Sequence, residues 1–269
     1  MKIAIFWFRR DLRLDDNAAL YSALKSNNLV LPIFIFDQNI LTQLEKNDAR
    51  VNFIHICLKK IQDELSKINK SLAIFYGDPI EIFKRLINEN TVECVYTNHD
   101  YEPYARKRDI EVYQFLKRNN VDFKTAKDQV IFEKSEIVKA DGSPYVVFTP
   151  YANQWKQKLQ STQISIYNSE DYLKNIINHN YKFLSLQDIG FQESKCIVPK
   201  FDISKSIISN YKSTRNFPAI KGTSFLSTHL RFGTVSIRKI IKEIQTCNDS
   251  TFLNELIWRE FFMQILWHF

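Results

Sequence analysis

Four short apolar runs fall within the first hundred residues, at 3–8, 30–36, 72–76 and 92–96, and each is apolar almost throughout instead of on alternate residues. Strands buried on both faces read this way, as parallel strands sandwiched between helices do. Between the runs, apolar residues return at helical spacing: Leu20 and Leu24 in 17–25, then Val51, Ile54, Cys57 or Leu58, Ile61 and Leu65 in 48–66, with Asp48 placed as a cap. Pro79 and Pro103 open two further helices, one over 80–87 and a basic one running to about 116, and 121–124 supplies a fifth strand. Such alternation demands right-handed crossovers, so the pattern predicts an α/β fold, a doubly wound parallel-sheet (Rossmann-like) domain over residues 1–130. Ligands of such sheets bind beyond the carboxyl ends of the strands.

After residue 130 the pattern weakens. A turn at 141–144, a helix over 150–159 and a polar, aperiodic stretch over 160–200 make 131–200 read as a connector. Helical spacing resumes at 207–212, 224–230, 236–244 and 252–269, which predicts an all-helical domain over 201–269. That segment carries nine Lys or Arg against five acids, a net +4 of the chain's +7, so a polyanionic partner is compatible with its surface. The chain has only five glycines and contains neither G-x-G-x-x-G nor G-x-x-x-x-G-K-[ST], which excludes the glycine-built phosphate loops. Its four cysteines fit no zinc or C-x-x-C spacing and predict reduced thiols, hence a cytoplasmic protein. No apolar run is long enough to span a membrane. Residues 255–269 are intensely apolar with no capping residue at their end, and the expectation is that the chain stops inside a domain.

Three groups of residues can carry chemistry. Glu255, Trp258 and Arg259 stand at i, i+3 and i+4, so a carboxyl, an indole and a guanidinium share one side of a helix and can hold a base and its phosphate. The same three also make a surface ion pair beside a core tryptophan. The run Gly222-Thr223-Ser224-Phe225-Leu226-Ser227 brings hydroxyls and free N–H groups to a helix start, which suits phosphate oxygens or plain capping. Tyr211 and Arg215 are one turn apart, poised for a ligand or for solvent.

In this order, Tyr211-x-x-x-Arg215-x-Phe217-Pro218, Gly222-Thr223-Ser224-x-Leu226-Ser227 and Asn254-Glu255-Leu256-Ile257-Trp258-Arg259-Glu260-Phe261 closely resemble the start of the flavin domain of DNA photolyases and cryptochromes. Trp7-Phe8-Arg9-Arg10-Asp11-Leu12-Arg13-Leu14-Asp15-Asp16-Asn17 resembles the family's opening signature, and Tyr145-x-x-Phe148-Thr149-Pro150-Tyr151 with Trp155 its mid-chain motif. The chain is most like a class I cyclobutane pyrimidine dimer photolyase cut within its FAD-binding domain. The resemblance implies a sheet domain of antenna type, followed by the first part of an all-helical FAD domain. It also implies a monomeric lyase without metal that acts on damaged DNA: light drives an electron from reduced FAD into a pyrimidine dimer flipped out of the duplex.

By the same resemblance Tyr211, Thr223, Ser224, Phe225, Leu226, Ser227 and Phe252 contact FAD. Glu255 holds the dimer carbonyl and, as a buried carboxyl, can stay protonated to donate to it. Trp258 stacks on the extruded bases, and Arg215 and Arg259 hold backbone phosphates. Glu255 and Trp258 are thus the catalytic pair. The loop 9–17 falls where a nucleotide-like antenna chromophore would be sought, although its charges also suit an ion network between domains. Some relatives hold a folate antenna through an Asn-Glu pair; Tyr104-Ala105 stands there in this chain, leaving a flavin, a deazaflavin or no antenna. Two other readings are a cryptochrome-type blue-light sensor, which Glu255 with Trp258 leans against, and an inactive fragment retaining only the α/β nucleotide-binding module. The 269 residues alone are expected to hold FAD poorly and to be inactive.

Overall fold

The computed structural model describes residues 2–26, 29–247 and 250–269. Its first half runs β1 (Lys2–Phe8), α1 (Ala18–Leu24), β2 (Leu29–Asp37), a short α2 (Gln38–Leu41), α3 (Ala49–Ser66), β3 (Ala73–Gly77), α4 (Pro79–Glu89), β4 (Thr91–Asn98), α5 (Pro103–Arg118) and β5 (Asp122–Ala126). Among the described residues the strands form one parallel sheet in the order β3-β2-β1-β4-β5, with Ile5 opposite Leu31 on one side and Val95 on the other. The unbroken apolarity of the strands now has its cause. Ala4, Phe6, Phe8, Phe34 and Phe36 pack under α1 and α3, while Ile3, Ile5, Trp7, Ile33 and Ile35 pack under α4 and α5. Each of the Ile and Phe side chains among these, fully buried, stabilises the fold by about 1.5–3 kcal/mol. Helix starts follow the local chemistry: Asn17, Asp48 and Asp78 each accept a backbone N–H of the first turn, and Pro79 needs no hydrogen-bond partner there.

The second half comprises α6 (Phe148–Gln160), two 3-10 turns (Ser169–Asn175 and Gln187–Ile189), α7 (Lys205–Thr214), α8 (Leu226–Phe232), α9 (Ile237–Gln245) and α10 (Ser250–His268). The stretch 131–200, expected as a connector, is divided between two cores. Ile131, Phe132, Tyr151 and Trp155 join Ile241, Leu256, Ile257 and Phe261 in the helical core, whereas Ile176, Leu186, Ile189 and Phe191 close the α1–α3 side of the sheet. Ile177 even donates its N–H to Val30, 2.9 Å away. An irregular chain buries side chains singly, so no periodicity announces it. No helix of the described residues is long and apolar enough to cross a membrane, and none of their His, Cys, Asp and Glu side chains group in threes fit to hold a metal ion.

The two halves are locked by the loop after β1. Arg238 of α9 reaches both carboxylate oxygens of Asp16 at 3.1 Å and Asp128 at 2.8 Å, and Arg13 reaches the other Asp128 oxygen at 2.7 Å. Burial opposes the charge on Asp128, but Arg13 and Arg238 outweigh it and hold the carboxyl below its usual range. Burial and the nearby Asp128 push Asp11 the other way, up. Leu12 N–H donates to the Phe232 carbonyl, and Arg13 to the Gly233 carbonyl at 3.0 Å. Gly233 has φ +64°, and any Cβ there would collide with the Arg10 carbonyl, so glycine sets how closely the halves approach. Of the two roles open to the charges of this loop, these contacts supply the ion network between domains.

Candidate active site

Beside this joint, a cavity of about 560 Å³ opens between α7, α8, α10 and the loop that follows β4. That loop leaves the sheet at the carboxyl end of β4, next to β1, where the strand order reverses direction. Helix α10 supplies one wall. Phe252, Glu255, Leu256, Arg259, Phe262, Met263 and Leu266 recur every three or four residues and so share a face. The opposite side of α10 packs on α6, where Trp155 Nε1 donates to Glu260 at 2.6 Å.

From α7, Tyr211 meets Phe252 edge-on across 5.1 Å, and both rings line the cavity. Ser224, Leu226 and Ser227 line it from the start of α8; Thr223 and Phe225 do not. The residues leading into α8 alternate in exposure, with Gly222, Ser224 and Leu226 buried and Thr223 and Phe225 exposed. Phe225 reverses the chain into the helix with φ +52°, and Ser224 Oγ accepts the Leu226 N–H at 3.3 Å.

Glu255 and Arg259 share the cavity, but Trp258 lies on the flank of α10 and is not part of the lining. The Trp258 ring is stacked on Phe148, centroids 3.6 Å apart, with Phe262 against it at 5.6 Å. Glu255 differs from the buried carboxyl expected at this position. It is about a third exposed and ion-paired with Arg215, because α7 ends close enough for the guanidinium to reach across. The buried carboxyl of α10 is Glu260, which accepts the Ile131 and Phe132 N–H groups as well as Trp155, and burial pushes its pKa up. Arg259 is half-buried and donates to the Gln129 carbonyl at 2.7 Å and the Leu230 carbonyl at 3.3 Å; desolvation by the surrounding protein lowers its pKa.

Among the lining residues that the sequence did not single out for this site, three form an ion-pair cluster. Arg10 and Arg231 converge on Glu102 at 2.7 and 2.5 Å, bridging the two halves at the cavity mouth. Burial disfavours the charge on Glu102, but the two guanidiniums overcome it and bring its pKa down to about 2. Arg10 lies within the opening motif; Glu102 and Arg231 are 129 residues apart, and only their meeting in space marks them. Nearby, Tyr101 donates to Glu133 at 2.6 Å, and Glu133 also faces His99 at 2.7 Å.

Comparison with known proteins agrees with this architecture. The sequence model of the DNA photolyase family matches residues 4–168. The deoxyribodipyrimidine photo-lyase of Synechococcus sp. (strain PCC 6301) is 30% identical over 98% of this chain and 60% of its own length. An uncharacterized 31.6 kDa protein of Synechococcus sp. (strain PCC 6716) is 27% identical over 96% of this chain and 98% of its own. The structure of an archaeal photolyase from Sulfolobus tokodaii, described with two FAD molecules, superposes with a TM-score of 0.75 at 26% identity, over all of this chain and 60% of that one. The chain therefore spans about 60% of the length of the photo-lyases it matches.

Proposed function

The chain belongs to the DNA photolyase family, and from that premise we propose that it carries the sheet domain and the first part of the flavin-binding helices of a deoxyribodipyrimidine photo-lyase. Its cavity is then where FAD and an extruded pyrimidine dimer of damaged DNA meet. The observation that supports this most is convergence: Tyr211, Ser224, Ser227, Phe252, Glu255 and Arg259 come from three helices and face one cavity. The lining suits the cofactor. Phe252, Leu256, Met263 and Leu266 offer flat apolar walls for a ring system, while the Ser224 and Ser227 hydroxyls and the Arg259 cation suit phosphate oxygens. FAD, when bound and reduced, would supply the light-driven electron.

The chain's own residues do the rest. Glu255 as a carboxylate accepts a pyrimidine N–H, or, once it takes up a proton, donates to the dimer carbonyl, steadying charge that develops there. Arg215, released from Glu255 as the dimer enters, is free to take a DNA phosphate. Trp258 offers its ring to a base from the flank. The FAD described in the Sulfolobus tokodaii relative supports the cofactor assignment, and its two molecules keep a second chromophore in view. Tyr104, which with Ala105 stands where some relatives hold a folate-binding pair, donates to Asp37 at 2.6 Å, leaving a flavin, a deazaflavin or no antenna.

Because the 269 residues alone are expected to hold FAD poorly, the test extends the chain with the part of the Synechococcus sp. (strain PCC 6301) photo-lyase outside the matched 60%, loads it with FAD, follows flavin absorbance through gel filtration, and measures loss of thymine dimers from irradiated DNA under blue light. Retained flavin with light-dependent dimer loss supports a lyase. Retained flavin without dimer loss favours a cryptochrome-type sensor, and no retained flavin leaves only the α/β nucleotide-binding reading.

A further inference from the structure

The contact between Phe148 and Trp258 has a geometry its neighbours lack. The two rings lie face to face, 3.6 Å apart with planes within 5°, whereas Phe148 meets Phe261 at 76° and Trp258 meets Phe261 at 79°. Two side-chain rings ordinarily prefer an offset or an edge, since their π faces carry like charge. A parallel stack at this spacing is how a nucleobase lies on an indole. Phe148 is the first residue of α6, and that helix start is weakly held: Val147 provides no side-chain cap, and Val146 and Val147 are more than half exposed. Phe262, which lines the cavity, rests against the same indole, so Trp258 adjoins the candidate site.

We propose that Phe148 stands in for a nucleobase, closing the face of Trp258 in the free protein until a base of single-stranded or locally opened DNA displaces it. This rests on the assignment of Trp258 to base stacking. The occupant is a nucleic-acid base because the groups at hand, an indole face with Arg215 and Glu255 near the end of α7, match a base and its phosphate. Phe148 thus acts as a selectivity element: only a ligand whose stacking exceeds that of a phenyl ring opens the slot.

The experiment measures binding of an oligothymidylate of about ten nucleotides to the full chain by fluorescence anisotropy, together with acrylamide quenching of tryptophan emission. Trp7 and Trp155 are buried and contribute little to quenching, and the half-buried Trp267 gives a background that a Trp267→Phe substitution in every variant removes. Phe148→Leu keeps apolar volume against Phe261 but removes the ring; Phe148→Met serves if leucine loosens α6. The ringless variant is expected to bind about fivefold tighter or more, the lower end for one base stacked on an aromatic ring, and to quench more readily, and adding Trp258→Leu should abolish the gain. Wild-type affinity in the Phe148 variant, with Trp258→Leu still weakening binding, overturns the gate and leaves the stacking role of Trp258 standing. A gain that Trp258→Leu does not reverse also overturns the gate. Trp258→Leu without effect in either background overturns the stacking role and the gate together.

Discussion

The sheet domain meets the helices in two places built from the same residue types to opposite ends. At the joint, Arg13 and Arg238 face Asp16 and Asp128 with almost no exposure, and the loop after β1 is pressed against Gly233. At the cavity, Arg10 and Arg231 share Glu102 beside the apolar walls of an open hollow. Buried charges that are mutually satisfied fix a register; partly exposed charges rimming an apolar hollow remain available to a ligand. Motif residues from one loop serve both: Arg13 and Asp16 go to the joint, Arg10 to the cavity.

Removing one partner from the joint should have the largest effect. Arg238→Ala strips Asp16 of its guanidinium in a dry site and leaves Asp128 only Arg13, and should cost about 3–5 kcal/mol in urea unfolding; a loss under about 1 kcal/mol would mean the joint carries no more weight than a surface pair. Gly233→Ala adds a collision with the Arg10 carbonyl to a left-handed backbone and should cost about 2–3 kcal/mol. At the cavity the order reverses, with chemistry affected more than stability. Glu255→Gln should reduce light-driven dimer loss in the FAD-loaded, extended chain about tenfold or more, as expected for one charged hydrogen bond, while shifting unfolding of the 269 residues by less than about 1 kcal/mol.

The mildest test is pH. Glu102 has a folded pKa of about 2 against an ordinary 4.5, so its stabilising effect is complete above 4.5 and is lost as pH falls toward 2. Urea midpoints of the wild type should therefore fall more steeply across that interval than those of Glu102→Gln. Parallel profiles would show that the mouth contributes nothing to holding the halves together.

Much of the fold was legible in the chain because strand apolarity and helical spacing are local. The runs at 3–8 and 30–36 betrayed a sheet covered on both faces, and Asp48 and Pro79 marked helix starts by chemistry local to the first turn. The site was legible only in part. Tyr211, Ser224, Phe252, Glu255 and Arg259 share a cavity, although spacing alone grouped only Glu255 and Arg259 of these; the alternation before α8 turns Thr223 and Phe225 outward, and Phe148, some 110 residues away in sequence, claims the Trp258 ring. Nor could spacing show that Glu255 pairs with Arg215 while Glu260 is the carboxyl that is buried.

The sequence alone determined which segments become strands and helices, which faces they bury, and the family, since each of these rests on the order of residues along the chain. The tertiary structure decided which charges are partnered and which stay available, because pairs such as Arg238 with Asp16 or Arg231 with Glu102 lie more than a hundred residues apart and meet only once the two cores have packed.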